Sequence, residues 1–571
     1  MFTSLPTAIN EIMGWSWEQY QAYYHELLDR PLDEASVSSW LADWTRLIDQ
    51  VSETYARLVV TTTKDTTDRS AESRYNGFLD SLYPRAQAAD QKLKEKLLAS
   101  GLEPAGFEIP LRKLRAEAAL FRAANLPLLS EERKLGAQYD KIAGAQTVTW
   151  DGEEYTLQGL RPVYESPDRA RREQAWRLAA GRQLADQPVL NALWVRLLQL
   201  RGELFRNADL PDYRAFRWQQ MLRLDYAPAD CVQFQQAIEA VAVPAATRVY
   251  ENYRRELGVE ALRPWDLDLD LYPVHQPPPA AYGDTERLRY TIEGIFRRLD
   301  PQLGEYFHIM NAEGLLDLDN RKGKAPGAYC TNFPVSGRPF IFMNAVGVAG
   351  DVRTLLHESG HAFHNFERGR LPYAQQRNPG LEFAEVASMA MELLNSPYVA
   401  ASQGGFYSPS DTSRSNLAQL ERILVFWPYM AVVDAFQHWV YTHHEQALDP
   451  ANCDAQWLEL WQRFIPGVDW SGLEEAAMTG WHRKQHIFRA PFYYVEYGLA
   501  QLGAVQVWRN ALQDLPAATA SYRSALALGG TATLPELYRT AGAKFAFDAG
   551  TLGDAVELVE AAIAETKAAI V

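Results

Sequence analysis

His357, Glu358 and His361 fit the pattern H-E-x-x-H. Thr354-Leu355-Leu356 ahead of it and Ala362-Phe363 behind it give the stretch a helical, part-apolar pattern. Two imidazoles four residues apart then share one helical face, about one turn apart, and can hold one metal ion. Glu358, next to the first histidine, can reach a water on that metal and take its proton. The chemistry this spacing serves is metal-assisted hydrolysis. Only about 0.015 such matches are expected by accident in a chain of this length and composition, so the motif carries weight.

A catalytic zinc needs a third protein ligand and one open position. A metzincin would continue with Gly at 364 and His at 367, but the chain has His364 and Glu367. Thermolysin-like spacing would put a glutamate at 380 or 381, where Gly380 and Leu381 stand. The next acids are Glu382, Glu385 and Glu392, in the helix-forming run GLEFAEVASMAMELL. Glu385 and Glu392 share a face, with Glu382 close by. Spacing alone does not choose between Glu382 and Glu385. His364 lies on roughly the same face as the two motif histidines. Three neighbouring histidines of one straight helix do not reach one tetrahedral centre easily, so His364 is expected to pack or to support the ligands. Gly360 costs about 1 kcal/mol inside a helix relative to Ala. Its expected role is to admit another backbone or a ligand at close range.

A second group of protic side chains occupies His486 to Gln501, HIFRAPFYYVEYGLAQ. Pro491 is a plausible first helical residue, after which Tyr493, Tyr494 and Tyr497 fall on neighbouring faces. Phenols and an imidazole are donors that stabilise an oxyanion. An aromatic core helix would carry the same residues, and the sequence weighs the two readings evenly.

The elements that must position these groups are mostly helices. The first 200 or so residues carry long amphipathic patterns, with one helix over 78–100 capped by Gly101 and another opened by Ser166-Pro167. Residues 147–157 read as a hairpin turning at Asp151-Gly152. Residues 262–284 are Pro-rich, with Trp265, Leu267, Leu269 and Leu271 alternating with acids as in a half-exposed strand. A second hairpin spans 327–344 and turns at Ser336-Gly337, just before the H-E-x-x-H helix. After Asp351 the chain reads as helical almost to its end. Apolar residues make up 47% and charged ones 22%, which is globular composition. The net charge of −16 argues against nucleic acid or an anionic membrane as partner. Cys231, Cys330 and Cys453 are too few and too scattered for a disulfide framework or a cysteine metal cluster. No stretch is apolar enough to span a membrane, and the first residues do not form a secretory signal. The expectation is a soluble cytoplasmic protein.

Three blocks, taken in order, resemble the thimet oligopeptidase and oligoendopeptidase F family of zinc peptidases, most closely its Pz-peptidase-like branch. They are GAY followed by PFIFMN (327–344), HESGHAFH followed by EFAEVAS (357–388), and HIFRAPFYYVEYGLAQ (486–501). The resemblance implies a mostly α, two-lobed fold with a deep substrate channel and a small β-sheet beside the H-E-x-x-H helix. The helical N-terminal lobe would cover 1–200, including the 147–157 hairpin, and the zinc lobe 201–571. It implies one Zn2+ on His357, His361 and Glu385, with Glu392 behind the ligands and Glu358 as the base. His486 and Tyr497 would bind the oxyanion. The family's second tyrosine, three before the last, maps to Tyr494, but this tract departs from the thimet pattern and leaves the choice between Tyr493 and Tyr494 open. Gly327, Ala328 and Tyr329 would flank the substrate backbone. The activity implied is zinc-dependent cleavage of internal bonds in short peptides. The alternative is a metallocarboxypeptidase with the same core, in which Arg489 would hold the substrate's C-terminal carboxylate. The sequence leaves the oligomeric state, monomer or dimer, open.

Overall fold

The computed structural model describes residue 2, residues 4–267 and residues 282–570. Helices form because apolar residues recur at helical spacing and bury one face. In helix α1 (Val37–Lys64), Trp40, Leu41, Trp44, Leu47 and Val51 are buried together. The chain is mostly α, as the sequence indicates. Gly101 ends the helix Leu82–Ser100 with φ 68°, a left-handed cap. That helix begins at Leu82 rather than at 78, after a break at Ser81 that closes the helix Arg69–Asp80. Pro84 explains the break. It has no N–H for the carbonyl of Asp80, and its ring crowds that carbonyl, so it fits only in a first turn. The helix expected to open at Ser166-Pro167 instead starts at Arg169. Its cap is Asp168, whose carboxylate accepts from the N–H groups of Ala170 and Arg171.

The hairpin at 147–157 forms from β1 (Thr147–Trp150) and β2 (Glu153–Thr156), paired antiparallel. Asp151 and Gly152 both take positive φ, 51° and 87°, as a two-residue turn between twisted strands requires. A second sheet holds β3 (Leu316–Asp319), β4 (Tyr329–Phe333) and β5 (Arg338–Ala345) in the order β3-β5-β4. β4 and β5 are the expected hairpin, with Tyr329 opposite Phe342. β3 pairs parallel to β5 and was not apparent from the sequence. It leaves β4 as an edge strand. Of the Pro-rich segment, Leu269 and Leu271 lie outside the described residues. Trp265 is buried in a short 3-10 turn, Pro264–Asp266, rather than in a strand.

The site is carried by four further helices and one short turn of helix. These are α2 (Ala349–Arg368), α3 (Leu381–Leu394), α4 (Pro409–Thr442), the short α5 (Gln485–Arg489) and α6 (Tyr494–Ala511). α3 contacts both α2 and α6, and α2 lies on β4 and β5. Residues 5–114 supply one buried apolar core. The larger core runs from Leu135 to Val559 and takes in the site helices. Among the described residues no helix is long and apolar enough to cross a membrane.

Candidate active site

His357, Glu358 and His361 lie on α2, and Glu385 on α3. Both imidazole Nε2 atoms sit 3.4 Å from Glu385 Oε2. The rings are 5.1 Å apart and nearly perpendicular. One donor atom from each of the three residues lies within 4.8 Å of the others. Two nitrogens and one carboxylate oxygen at this reach are a donor set that fits zinc. Gly360 makes the arrangement possible. A Cβ at that position would stand 2.3 Å from the carbonyl oxygen of Ala387 and 2.5 Å from Ser388 Cα. The backbones of α2 and α3 therefore touch at Gly360, and its lack of a side chain brings Glu385 to the histidines.

The outer atoms of this group are also held. His357 Nδ1 is 2.8 Å from Glu392 Oε1, a contact that orients the ring and directs Nε2 at Glu385. Ser388 Oγ donates to Glu385 Oε2 at 2.9 Å, and Tyr493 Oη donates to Glu385 Oε1 at 2.6 Å. Burial pushes the Glu385 carboxyl up, but the two imidazoles outweigh it and hold the group well below the usual carboxylate range. Glu382 faces elsewhere. It accepts from Tyr226 Oη and lies 3.5 Å from Arg223 Nε. His364 is buried against Phe383 and does not join the cluster.

Glu358 is buried, and its Oε2 has no hydrogen-bond partner. Burial raises its pKa. A buried, unpartnered carboxylate oxygen is costly unless something else occupies the space in front of it.

His486 on α5 and Tyr497 on α6 meet with Nε2 and Oη 3.1 Å apart. Burial, helped by the nearby Lys484 cation, lowers His486 to about 3, so the ring is neutral at ordinary pH. Its Nδ1 is buried and unpartnered. Pro491 does not open α6. The helix starts at Tyr494, because Phe492 turns to φ 63° and gives its N–H to Gln437 Oε1. The three tyrosines therefore separate. Tyr493 reaches Glu385, Tyr497 reaches His486, and Tyr494 Oη accepts from Lys484 Nζ at 3.0 Å. Of the two candidates for the second oxyanion tyrosine, Tyr494 thus has its hydroxyl engaged by Lys484 and Tyr493 has its own on Glu385.

Gly327 takes φ 90°, and its carbonyl accepts from Asn344 Nδ2 at 2.9 Å. Ala328 follows it, half-buried. Tyr329 begins β4, stacks on Phe342 and shares a 2.6 Å hydrogen bond with Thr63 of α1. A cavity of about 920 Å3 opens next to these groups, with Gly327, Asn344, Lys484, His486 and Tyr494 among its walls. The metal-type cluster is not in its lining, whereas His486, which meets Tyr497, is. Arg489, offered as a holder of a substrate carboxylate, pairs its Nη1 with Asp140 Oδ2 at 2.5 Å. A further group, Cys231 with Asp434 and His438, brings donor atoms within 4.8 Å of one another in the core, which the spacing of the cysteines did not indicate.

Ser388 and Lys484 join the site although no motif in the sequence singles them out. Ser388 was detectable as the residue one turn after Glu385, on the same helical face. Lys484 had no signal beyond standing two residues before His486.

A mostly helical chain with this sheet and this H-E-x-x-H helix has the build of a peptidase. Residues 163–554 match Peptidase family M3, and the chain belongs to that family. In three dimensions it is similar to PZ peptidase A, solved with an inhibitor, at a TM-score of 0.91 and 26% identity over 97% of this chain and 99% of that one. In sequence it is similar to an oligoendopeptidase F homolog of Mycoplasma pneumoniae, 27% identical over 48% of this chain and 45% of the relative. It is also similar to the oligopeptidase PepF of Bacillus subtilis, 32% identical over 24% of this chain and 22% of that one. These sequence matches span less than half the length of the curated relatives.

Proposed function

We propose that this protein is a zinc-dependent endopeptidase that cuts internal bonds of short peptides. The observation that carries the reading is the convergence of His357, His361 and Glu385, with the unpartnered Glu358 oxygen beside them. His357 Nε2, His361 Nε2 and a Glu385 oxygen would hold the ion. Zinc, when bound, polarises a carbonyl and acidifies a water. Glu358 Oε2 takes the proton of the attacking water and returns it to the leaving amine. Its burial favours the protonated state, which suits the second half of that task. Tyr497 Oη, and His486 when its proton is on Nε2, donate to the developing oxyanion. The neutral state of His486 leaves only one ring nitrogen protonated, so its partner Tyr497 fixes which role that nitrogen plays.

Among the described residues β4 is an edge strand of its sheet, which supports a substrate bound as an added strand along Gly327, Ala328 and Tyr329. Lobes formed by 1–200 and 201–571 would close over it and exclude water. An extended segment is required, so folded proteins are poor substrates. The soluble cytoplasmic setting, and the absence of nucleic-acid or membrane partners, belong to the same reading.

The experiment uses a peptide of about ten residues with an acetylated N-terminus and an amidated C-terminus, the products being read by mass spectrometry. Internal cleavage that stops with a chelator and returns with zinc supports the proposal. Cleavage only of the free-carboxylate version favours the carboxypeptidase alternative, and cleavage untouched by chelation ends the zinc reading.

A further inference from the structure

The cavity beside the site differs in charge from the rest of the chain. The protein carries a net charge of −16. Among the described residues, the charged ones of the cavity wall are nonetheless Arg161, Lys324, Arg422, Arg483 and Lys484, with one acid, Glu165. Concave, poorly hydrated walls of one sign focus the field and concentrate ligands of the other sign. The cations are not equivalent. Lys324 donates to Asp317 and to backbone carbonyls, and Arg161 lies 3.7 Å from Asp351. Lys484 has no carboxylate within 4.0 Å among the described residues. Its ammonium sits between the faces of Tyr429 and Tyr494, 4.9 and 4.7 Å from the ring centroids, and donates to Tyr494 Oη at 3.0 Å. Two aromatic faces and one hydroxyl orient the cation without neutralising it. An ammonium has three donors, and a half-buried one held in this way is prepared for an anionic oxygen.

Position gives the charge a role. Lys484 precedes His486 by two residues, Tyr494 precedes Tyr497 by three, and the His486 and Tyr494 rings are 5.2 Å apart. A peptide lying across His486 and Tyr497 passes within a few ångströms of Lys484.

We propose that Lys484, oriented by Tyr494 and Tyr429, binds a carboxylate of the peptide substrate, so that the enzyme prefers peptides carrying an anionic group at a fixed reach from the cleaved bond. The proposal rests on the peptidase reading and names its substrate class. The carboxylate belongs either to an Asp or Glu side chain or to the peptide's own C-terminus. The Lys484–Tyr494 pair is separate from Arg489, which pairs with Asp140.

The test is a matched peptide set: Glu against Gln at each position in turn, and a free against an amidated C-terminus. Two quantities are measured. One is the ratio of kcat/KM within each pair for the unmodified enzyme, Lys484→Met and Lys484→Arg. The other is the ratio of Kd within each pair on zinc-loaded Glu358→Gln, by calorimetry, which needs no turnover. A hydrogen-bonded charge pair predicts a preference of about tenfold or more for the carboxylate member at one position. That preference should shrink as salt is raised, fall to near one in Lys484→Met and return in Lys484→Arg. A preference confined to the free C-terminus assigns the terminal carboxylate, and one confined to a Glu position assigns a side chain. Ratios near one throughout the set, or a preference that survives in Lys484→Met, overturn the proposal. If neither member of any pair is cleaved, the peptidase reading fails while the Kd ratios still decide this one.

Discussion

Tyr493 Oη donates to Glu385 Oε1 at 2.6 Å, while the other oxygen of that carboxylate faces both His357 and His361. The phenol therefore holds a prospective ligand in place from behind. Tyr494, the next residue, bonds Lys484 instead. Tyr493→Phe is expected to weaken zinc binding by about 10–100-fold. Tyr494→Phe should leave zinc affinity near that of the unmodified protein. Competition against a chromogenic chelator measures both.

Glu358→Gln is expected to keep about one zinc per chain and to lose activity by at least 10²–10⁴-fold, because the base is not a ligand. His361→Ala and Glu385→Ala should lose both metal and activity. Glu382→Ala should keep the metal, since Glu382 is occupied by Tyr226 and Arg223. Metal content by elemental analysis, beside turnover, separates these outcomes. Zinc retained in Glu385→Ala and lost in Glu382→Ala would reverse the assignment of the third ligand.

Tyr497→Phe removes one hydroxyl and little volume. If Tyr497 donates to the oxyanion, kcat falls on the order of 10²–10³-fold with little change in KM. A large drop in thermal stability with modest kinetic loss would make Tyr497 a packing residue.

Gly360→Ala places a methyl 2.3 Å from the Ala387 carbonyl. Neither backbone has room to move without parting α2 from α3. The variant is expected to lose at least about 1–3 kcal/mol in denaturant unfolding, the cost of overpacking, and to bind zinc less well. Unchanged stability would show that the helices can separate freely there.

Asp454 is buried and accepts from Trp481 Nε1 at 2.7 Å. Burial raises its pKa to about 6, against the ordinary 3.8. The folded state thus holds the proton more tightly than the unfolded one. This favourable contribution is fully present below about pH 3.8 and is lost as pH rises through 6. Asp454→Asn keeps an acceptor for Trp481 and removes the charge. It should stabilise the protein at pH 7 and make little difference near pH 4. Thermal unfolding at the two pH values is the check, and equal shifts at both would refute the assignment.

The sequence alone determined the chemistry-bearing spacing and most of the elements. His357 and His361 share a face because four residues make about one helical turn, whatever surrounds them. The two hairpins were readable from Asp151-Gly152 and Ser336-Gly337, because turn conformation is a local property. Gly360 was readable as a point of close approach, since a glycine inside a helix has a local cost that packing must offset. Only the tertiary structure decided which acid meets the histidines. Glu382 and Glu385 lie within one turn of the same helix, and the crossing of α2 and α3 at Gly360 selects Glu385. Tyr493 and Tyr494 are adjacent and therefore point about 100° apart. The left-handed Phe492 sets where α6 begins, and with it which tyrosine reaches Glu385 and which reaches Lys484. The cationic cavity could not be read from the chain at all, because its walls come from segments hundreds of residues apart, and only folding places their charges on one surface.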